Sequence, residues 1–149
     1  METWFIMIQR KDTNLWQKKT WDPSYHEIVN GRKKIDVRLK ELDFPVKFGD
    51  WIVFKWYTRK NDISFTYMKQ QCVRAVTFVM HTDEVNYWPH KDDCHPFTII
   101  QLEEAHCHNC FHVVDLIYDE DGHDMSYFQC NNPLCTCICN EEIDLTYKN

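Results

Sequence analysis

The sequence predicts a small α+β protein in two parts, a β-barrel-like domain over residues 1–104 and a short cysteine-rich hairpin over residues 105–149. The first part contains mainly short apolar strand patterns separated by turns. A single helix pattern lies between the early strands. In the second part, two close cysteine pairs flank one hairpin pattern. A chain of 149 residues has room for one ordinary domain and one small module.

The helix is predicted to begin at Asp22-Pro23 and to end just before Gly31. Asp is a favourable N-cap, and Pro is favoured at the first helical position. Gly31 is expected at C′, where a left-handed conformation suits glycine. The apolar side chains that share one face, with helical spacing, are Tyr25, Ile28 and Val29.

Strands are predicted from apolar runs or alternation at residues 3–9, 34–39, 51–57, 65–68, 73–80 and 97–102. The two patterns at 65–80 are also compatible with one long bent strand. In the second strand, alternation predicts that the apolar residues face the core and that Lys34, Asp36 and Arg38 share the opposite face. Residues 81–95 are polar and irregular, which is typical of a surface loop.

The second part contains the pairs Cys107/Cys110 and Cys130/Cys135, separated by a strand, turn and strand pattern over residues 111–129. Zn²⁺ favours four soft thiolates in a tetrahedron, and each pair can aim two of them at one point. The layout resembles a zinc ribbon. We expect a structural role, because a closed four-ligand site leaves no open position for catalysis. The metal would also supply folding free energy to a segment with little core.

The ligand set leaves alternatives. Cys137 and Cys139 follow the second pair, and one of them could replace a ligand or be a small buried apolar side chain. A nearby histidine could also replace one ligand, and the histidines in this part are His106, His108, His112 and His123. Reduced structural cysteines without metal are the remaining interpretation.

Charge and hydropathy exclude some classes of protein. The mean hydropathy of −0.57 and the lack of a long apolar run exclude a membrane span. The first ten residues lack the features of a signal peptide, so we expect an intracellular protein, cytoplasmic or nuclear. Residues 1–60 hold thirteen Lys/Arg and eight Asp/Glu (+5), and residues 61–149 hold four and fifteen (−11), which sum to the net −6. A basic binding groove would therefore come from the first half.

Residues 25–38 join a helix ending at Gly31 to a Gly-x-Lys turn at Lys33 and a strand carrying Arg38. Residues 44–54 enter the next strand through Gly49-Asp50. These motifs together resemble the ASCH family of PUA-like folds, over about residues 20–102. The resemblance implies a small PUA-like β-barrel, so the expected whole is an ASCH domain with an appended zinc-ribbon hairpin.

The family's functions are RNA-related: RNA binding, ribonuclease activity in some members, and hydrolysis of N4-acetylcytidine in one branch. That branch uses a Lys in the Gly-x-Lys turn and a Thr on the next strand, positions held here by Lys33 and Asp36. Since Asp36 is not a hydroxyl nucleophile, that reaction is in doubt. The branch's glutamate has no counterpart in a matching motif here, and the candidates for it are Asp83 and Glu84.

The charged residues also have meaning without the resemblance. Arg38 can donate two hydrogen bonds to a phosphate, and Lys33 and Lys34 can act as point charges. Asp36 can hold Arg38 in place or accept a bond from a base. The alternative is a surface strand whose charges only add solubility. The aromatic candidates for base stacking are Trp51, Trp56, Tyr57, Tyr87 and Trp88. Most are expected in the core, and Trp88 is the best candidate for exposure.

The leading hypothesis is an RNA- or nucleotide-binding module with a structural zinc site. Its ligand site would comprise Lys33, Lys34, Asp36, Arg38 and Trp88. Its metal ligands would be Cys107, Cys110, Cys130 and Cys135. One alternative is an RNA-processing or modified-nucleoside hydrolase, in which Lys33 stabilises charge and Asp36 is the general base. The other alternative is a protein-interaction adaptor, which could be a viral protein. It would use its acidic second half to bind or mimic a protein partner.

Overall fold

The computed structural model describes residues 14–61, 64–85, 95–107, 111–118, 125–130 and 142–144. The described part contains one α-helix, one 3₁₀ turn and eight strands. In chain order these are β1 (Leu15–Trp21), α1 (Ser24–Val29), β2 (Ile35–Leu39), β3 (Trp51–Arg59), β4 (Phe65–His81), the 3₁₀ turn (Thr82–Glu84), β5 (Phe97–Glu104), β6 (Val114–Tyr118), β7 (Met125–Cys130) and β8 (Glu142–Asp144). No helix in these residues has the length and apolar character needed to cross a membrane.

The main sheet has the order β1-β3-β4-β5-β2. β1 runs parallel to β3, and the other neighbours are antiparallel. The predicted closed barrel is wrong in this respect: β1 and β2 are the two edges, and they do not pair within the described residues. The sheet curls instead, and the Arg38 guanidinium on β2 lies 3.5 Å from the Lys19 carbonyl oxygen on β1. The coarser prediction of a small β-rich domain with few helices is confirmed.

The core lies on one face of this sheet, beneath α1 and the segment before β3. Its buried side chains are Tyr25, Ile28, Phe44, Val46, Ile52, Phe54, Val76, Ile100 and Leu102. The helix contributes the two apolar positions that its 3.6-residue spacing places together. Gly31 follows the helix at φ +80°, as predicted for C′, and its N–H donates to the Ile28 carbonyl at 3.1 Å.

The predicted helix start is wrong by one position. Pro23 occupies the N-cap, with no side-chain capping bond. The Asp22 carboxylate contacts other side chains instead, and its Oδ2 accepts a 3.0 Å hydrogen bond from the Trp56 indole. Asp22 therefore joins the helix entrance to β3 rather than capping α1.

The predicted orientation of β2 is also wrong. Its three apolar side chains are exposed, at 45% for Ile35, 54% for Val37 and 52% for Leu39. Asp36 is buried at 3% exposure. β2 is an edge strand of the sheet, and its face that carries the three apolar side chains is uncovered. Ion pairing makes burial of the Asp36 carboxylate tolerable, so the polar face turns inward.

A second sheet has the order β6-β7-β8. The predicted hairpin of the second part is confirmed as β6 and β7, which pair antiparallel with Val114 opposite Cys130. Sequence analysis missed β8, and it missed β1 in the main sheet. The predicted strand at 3–9 lies outside the described residues, as do residues 86–94 of the predicted loop.

Candidate functional site

The charged residues that follow α1 come together at the covered face of β2. Lys33 is held in the turn by its N–H, which donates to the Glu27 carbonyl of the helix at 2.8 Å. Asp36 and Arg38 point to the same face because they are two residues apart on one strand. The helix end and the strand thus deliver two cations and one carboxylate to one place.

Asp36 is the centre of this cluster. Its Oδ2 accepts a hydrogen bond of 2.6 Å from Nε of Arg38, and its Oδ1 lies 3.6 Å from Nζ of Lys33. The Asp36 side chain is 5% exposed, whereas those of Arg38 and Lys33 are 21% and 29% exposed. A buried carboxylate therefore anchors two cations that still reach solvent. We call Lys33, Asp36 and Arg38 the charged cluster.

Neighbouring groups fix the orientation of both cations. Nζ of Lys33 donates to the Ser24 hydroxyl at 3.0 Å. Nη2 of Arg38 lies 3.4 Å from the Thr20 hydroxyl. The Arg38 guanidinium carbon is 5.9 Å from the centroid of the buried Phe54 ring. Sequence analysis did not identify Ser24 or Thr20, because their approach depends on the curl of the sheet and on the helix entrance.

Lys34, the fourth residue of the predicted ligand site, is exposed, and among the described residues it forms no ion pair with Asp36 like those of Lys33 and Arg38. It contributes instead to an open cavity of about 410 Å³ beside the C-terminus of α1. Lys33 lines this cavity as well, together with Arg74, which donates to the Ile28 and Val29 carbonyls at 3.1 and 3.2 Å. The other lining residues are Ile28, Val29, Asn30, Gly31, Leu102, Glu103, Glu104 and His106.

Asp83 and Glu84 lie apart from the charged cluster. Both pair with Lys40, whose Nζ is 3.0 Å from Asp83 and 3.3 Å from Glu84. The hydrogen bond between Lys40 and Asp83 raises the pKa of Lys40 and lowers the pKa of Asp83. Their role is a surface ion pair between β2 and the 3₁₀ turn, so neither supplies a carboxylate to the cluster. Trp88, also predicted for the ligand site, lies outside the described residues.

Of the four predicted metal ligands, the structure describes the side chain of Cys107 and only the backbone of Cys130. Cys107 is fully buried. Its carbonyl accepts from the Phe111 N–H at 2.9 Å, and Phe111 adopts a left-handed φ of +63°. Cys110 and Cys135 lie outside the described residues, and within the described part no three His, Cys, Asp or Glu side chains converge on one point.

Cys72 differs from a metal ligand in its environment. Burial raises the pKa of its thiol to about 11, and the nearby Arg74 offsets this only in part. A thiol with this pKa stays protonated at neutral pH, and zinc requires the thiolate. Burial similarly raises the pKa of the Tyr25 phenol, so both groups are neutral parts of the core.

Comparisons with known proteins add no family. No protein-family model matches this chain. No curated protein sequence matches it either.

Proposed function

We propose that this protein binds RNA, with the charged cluster as its phosphate-contacting site. The observation that carries the proposal is the burial of Asp36 between two cations that remain partly exposed. Burying a carboxylate is costly unless it is paired. An arrangement that holds Lys33 and Arg38 in fixed positions is suited to recognising an anion.

The cluster retains net positive charge after its internal pairing, since two cations face one carboxylate. Arg38 uses Nε and Nη2 within the protein, which leaves Nη1 as the donor for a ligand oxygen. Guanidinium groups bind phosphate through such directed bonds, and the Lys33 ammonium adds a point charge. Lys33 also lines the cavity beside α1, so a nucleotide held at the cluster has space next to it.

The expected affinity is modest. A cluster this small neutralises one or two phosphates, and each contributes a slope of about −0.7 in log K against log salt for single strands. The affinity for RNA should fall as salt rises, but more gently than for proteins with extended basic surfaces.

Fluorescence anisotropy with a labelled single-stranded RNA tests the proposal. Arg38→Ala and Lys33→Ala should each weaken binding about ten- to hundredfold, the effect of losing a charge-assisted contact. Arg32→Ala is the matched control, because Arg32 is exposed and already paired with Glu27 at 2.7 Å. Binding that survives both cluster substitutions would contradict the site.

Absence of RNA binding by the folded wild-type protein at low salt would contradict the function itself. In that case the adaptor hypothesis would lead, and the acidic second half would be the surface to mutate.

The contact between Ser24 and Lys33 favours a second candidate function, hydrolysis of a modified nucleoside. A serine hydroxyl next to a neutral lysine amine is one form of activated nucleophile, and here the Lys33 ammonium would first have to lose its own proton to accept that of Ser24. It would supply the hydroxyl that Asp36 lacks. Asp36 itself is a poor choice of general base, because both of its oxygens face cations. Turnover of N4-acetylcytidine by the wild type, abolished in Ser24→Ala, would support this candidate; no turnover by the wild type would exclude it.

The second part is proposed to hold one structural Zn²⁺ through Cys107, Cys110, Cys130 and Cys135. Cys107 is fully buried, and its backbone is hydrogen-bonded to residues 111 and 112 just before the β6-β7 hairpin, which supports a metal ligand at this position. The metal would link Cys107 to the β6-β7 hairpin. Elemental analysis should find one zinc per chain, reduced in Cys110→Ser and unchanged in Cys72→Ser. A zinc-free protein that remains folded in strong chelator would contradict the proposal.

A further inference from the structure

Three neighbouring strands of the main sheet carry an unusual charge balance. β1, β3 and β4 together contain no Asp or Glu, although the whole chain has a net charge of −6. Their cationic residues are Lys18, Lys19, Lys55, Arg59, Lys69 and Arg74. This half of the sheet is therefore locally basic within an acidic protein.

Four aromatic side chains from these strands meet on the face of the sheet opposite the core. Strand register places Trp21 beside Tyr57, and Tyr57 beside Tyr67, in one row across three strands. The ring centroids are 5.6 Å apart for Trp21 and Tyr57 and 5.2 Å for Tyr57 and Tyr67, and Phe65 lies 4.2 Å from Trp21. We call these four residues the aromatic platform.

The platform is partly open to solvent and flanked by lysines. Trp21 is 40% exposed and Phe65 is 48% exposed. Lys19 and Lys55 occupy the next row of the same face. Nζ of Lys19 lies 5.3 Å from the Tyr57 ring centroid, and Nζ of Lys55 lies 5.5 Å from that of Tyr67. Cations therefore border the rings on the side toward the middle of the sheet.

We propose that the aromatic platform stacks the bases of a single-stranded nucleic acid, whose phosphates contact the flanking lysines. This inference rests on the proposed nucleic-acid function and adds a second contact surface to it. Every base has a π-face, so a row of exposed rings binds single strands with little sequence preference. Basic residues beside such rings provide the attraction for the backbone.

The position of β1 connects this platform to the charged cluster. Thr20 points toward the core face, where its hydroxyl lies 3.4 Å from Arg38. Its neighbours Lys19 and Trp21 lie on the opposite face, since side chains alternate along a strand. A strand of nucleic acid that crosses this edge of the sheet would meet both surfaces.

The charge pattern selects this occupant over an apolar protein partner. An interface built for apolar contact loses charged residues from its centre. Here two ammonium groups lie within cation–π distance of the rings. A polyanion with flat bases matches both features.

Anisotropy with three labelled probes tests the inference: single-stranded oligouridine RNA of about 12 nucleotides, the corresponding oligothymidine DNA, and an abasic strand with the same phosphates. Trp21→Ala and Phe65→Ala should each weaken binding of the two base-containing strands about five- to hundredfold. The abasic strand should bind the wild type weakly, and neither substitution should change its affinity. Phe78→Ala is the matched control, because Phe78 lies on the same strand as Phe65 and is 51% exposed.

The outcomes separate this inference from the proposed function. If the platform variants bind like the wild type while Arg38→Ala fails to bind, the platform is refuted and the RNA-binding cluster stands. If only the platform variants lose binding, the cluster is refuted and the platform stands.

Equal binding of abasic and base-containing strands would refute stacking. A change of sedimentation coefficient in Trp21→Ala, with unchanged RNA affinity, would show that a second copy of the chain covers the rings and would overturn the inference. Circular dichroism of each variant confirms folding, and Lys19→Glu tests the same surface if Trp21→Ala unfolds.

Discussion

Replacing Asp36 should destabilise the protein far more than replacing a comparable carboxylate at the surface. Asp36→Ala removes the carboxylate that the Lys33 and Arg38 side chains share, and these side chains are only 29% and 21% exposed. Asp36→Asn keeps an oxygen that accepts from Nε of Arg38 but removes the negative charge. The two variants therefore separate the hydrogen bond from the ion pair.

The magnitude follows from the geometry. The 2.6 Å bond from Arg38 is charge-assisted and contributes about 1.5–3 kcal/mol. The Lys33 contact, at 3.6 Å, is beyond hydrogen-bond distance and partly exposed, and contributes about 0.2–1 kcal/mol. Asp36→Ala should therefore lower the free energy of unfolding by roughly 2–4 kcal/mol. Asp36→Asn should lower it by less, because the amide oxygen can still accept from the charged Arg38 guanidinium although the ion pair is lost.

Urea denaturation followed by circular dichroism measures this difference. In a chain of this size the Asp36→Ala protein should also melt roughly 4–16 °C lower than the wild type. The matched control is Glu27→Ala, which removes an exposed pair to Arg32 with bonds of 2.7 and 3.1 Å. That pair is similar in geometry but lies in solvent, so its loss should destabilise the protein much less than the loss of Asp36. Equal destabilisation by the two substitutions would contradict the claim that burial strengthens the contacts of Asp36 within the charged cluster.

Three further outcomes are expected. Gln17 is 1% exposed, and neither amide atom has a hydrogen-bond partner among the described residues, so Gln17→Met should raise the unfolding free energy by about 1–2 kcal/mol; a loss measured by urea denaturation would show that the amide is bonded. Cys72, with its pKa raised to about 11 by burial, should react with iodoacetamide at pH 8 at least about tenfold more slowly than an ordinary thiol, because so little thiolate is present; peptide mass spectrometry that finds Cys72 modified as fast as a model thiol would contradict this. Phe111 is 61% exposed at a left-handed φ of +63°, so Phe111→Gly should raise the melting temperature, by relieving about 1 kcal/mol of backbone strain; a lower melting temperature would mean that the ring itself stabilises the loop.

The parts of the fold that sequence analysis predicted are those whose stability is local or strongly apolar. The run at β3 is an apolar strand in any context, and Gly31 ends α1 because it can adopt φ +80°. The 17-residue β4 agrees with one long bent strand. A register shift between Lys55 and Tyr57 of its partner marks the bend.

The errors come from partners distant in sequence. β1 was missed because Gln17 and Lys18 are polar but buried, which hides the alternation that predicts a strand. The face of β2 was wrong because Asp36 is buried with Arg38, whose guanidinium reaches Thr20 on β1. Asp22 was wrongly assigned as a cap because the Trp56 indole, 34 residues away, donates to its carboxylate.

The candidate site was predicted in part. Lys33, Asp36 and Arg38 do form one cluster, whereas Lys34 forms no such ion pair with Asp36 among the described residues. Ser24 and Thr20, which orient the two cations, depend on the tertiary approach of α1 and β1 to β2 and carry no motif of their own. The aromatic platform was missed except for Tyr57, since its rings come from three strands that only the register of the sheet brings into one row.

Photo-crosslinking of 4-thiouridine RNA to the wild-type protein, followed by peptide mapping, tests the central claim most directly. RNA held by the charged cluster should crosslink to peptides that contain residues 24–38. Addition of salt should reduce the yield, because the contact is with phosphate. Crosslinks confined to residues 105–149, or a yield from residues 24–38 that is unchanged in Arg38→Ala, would contradict the claim that the cluster binds RNA.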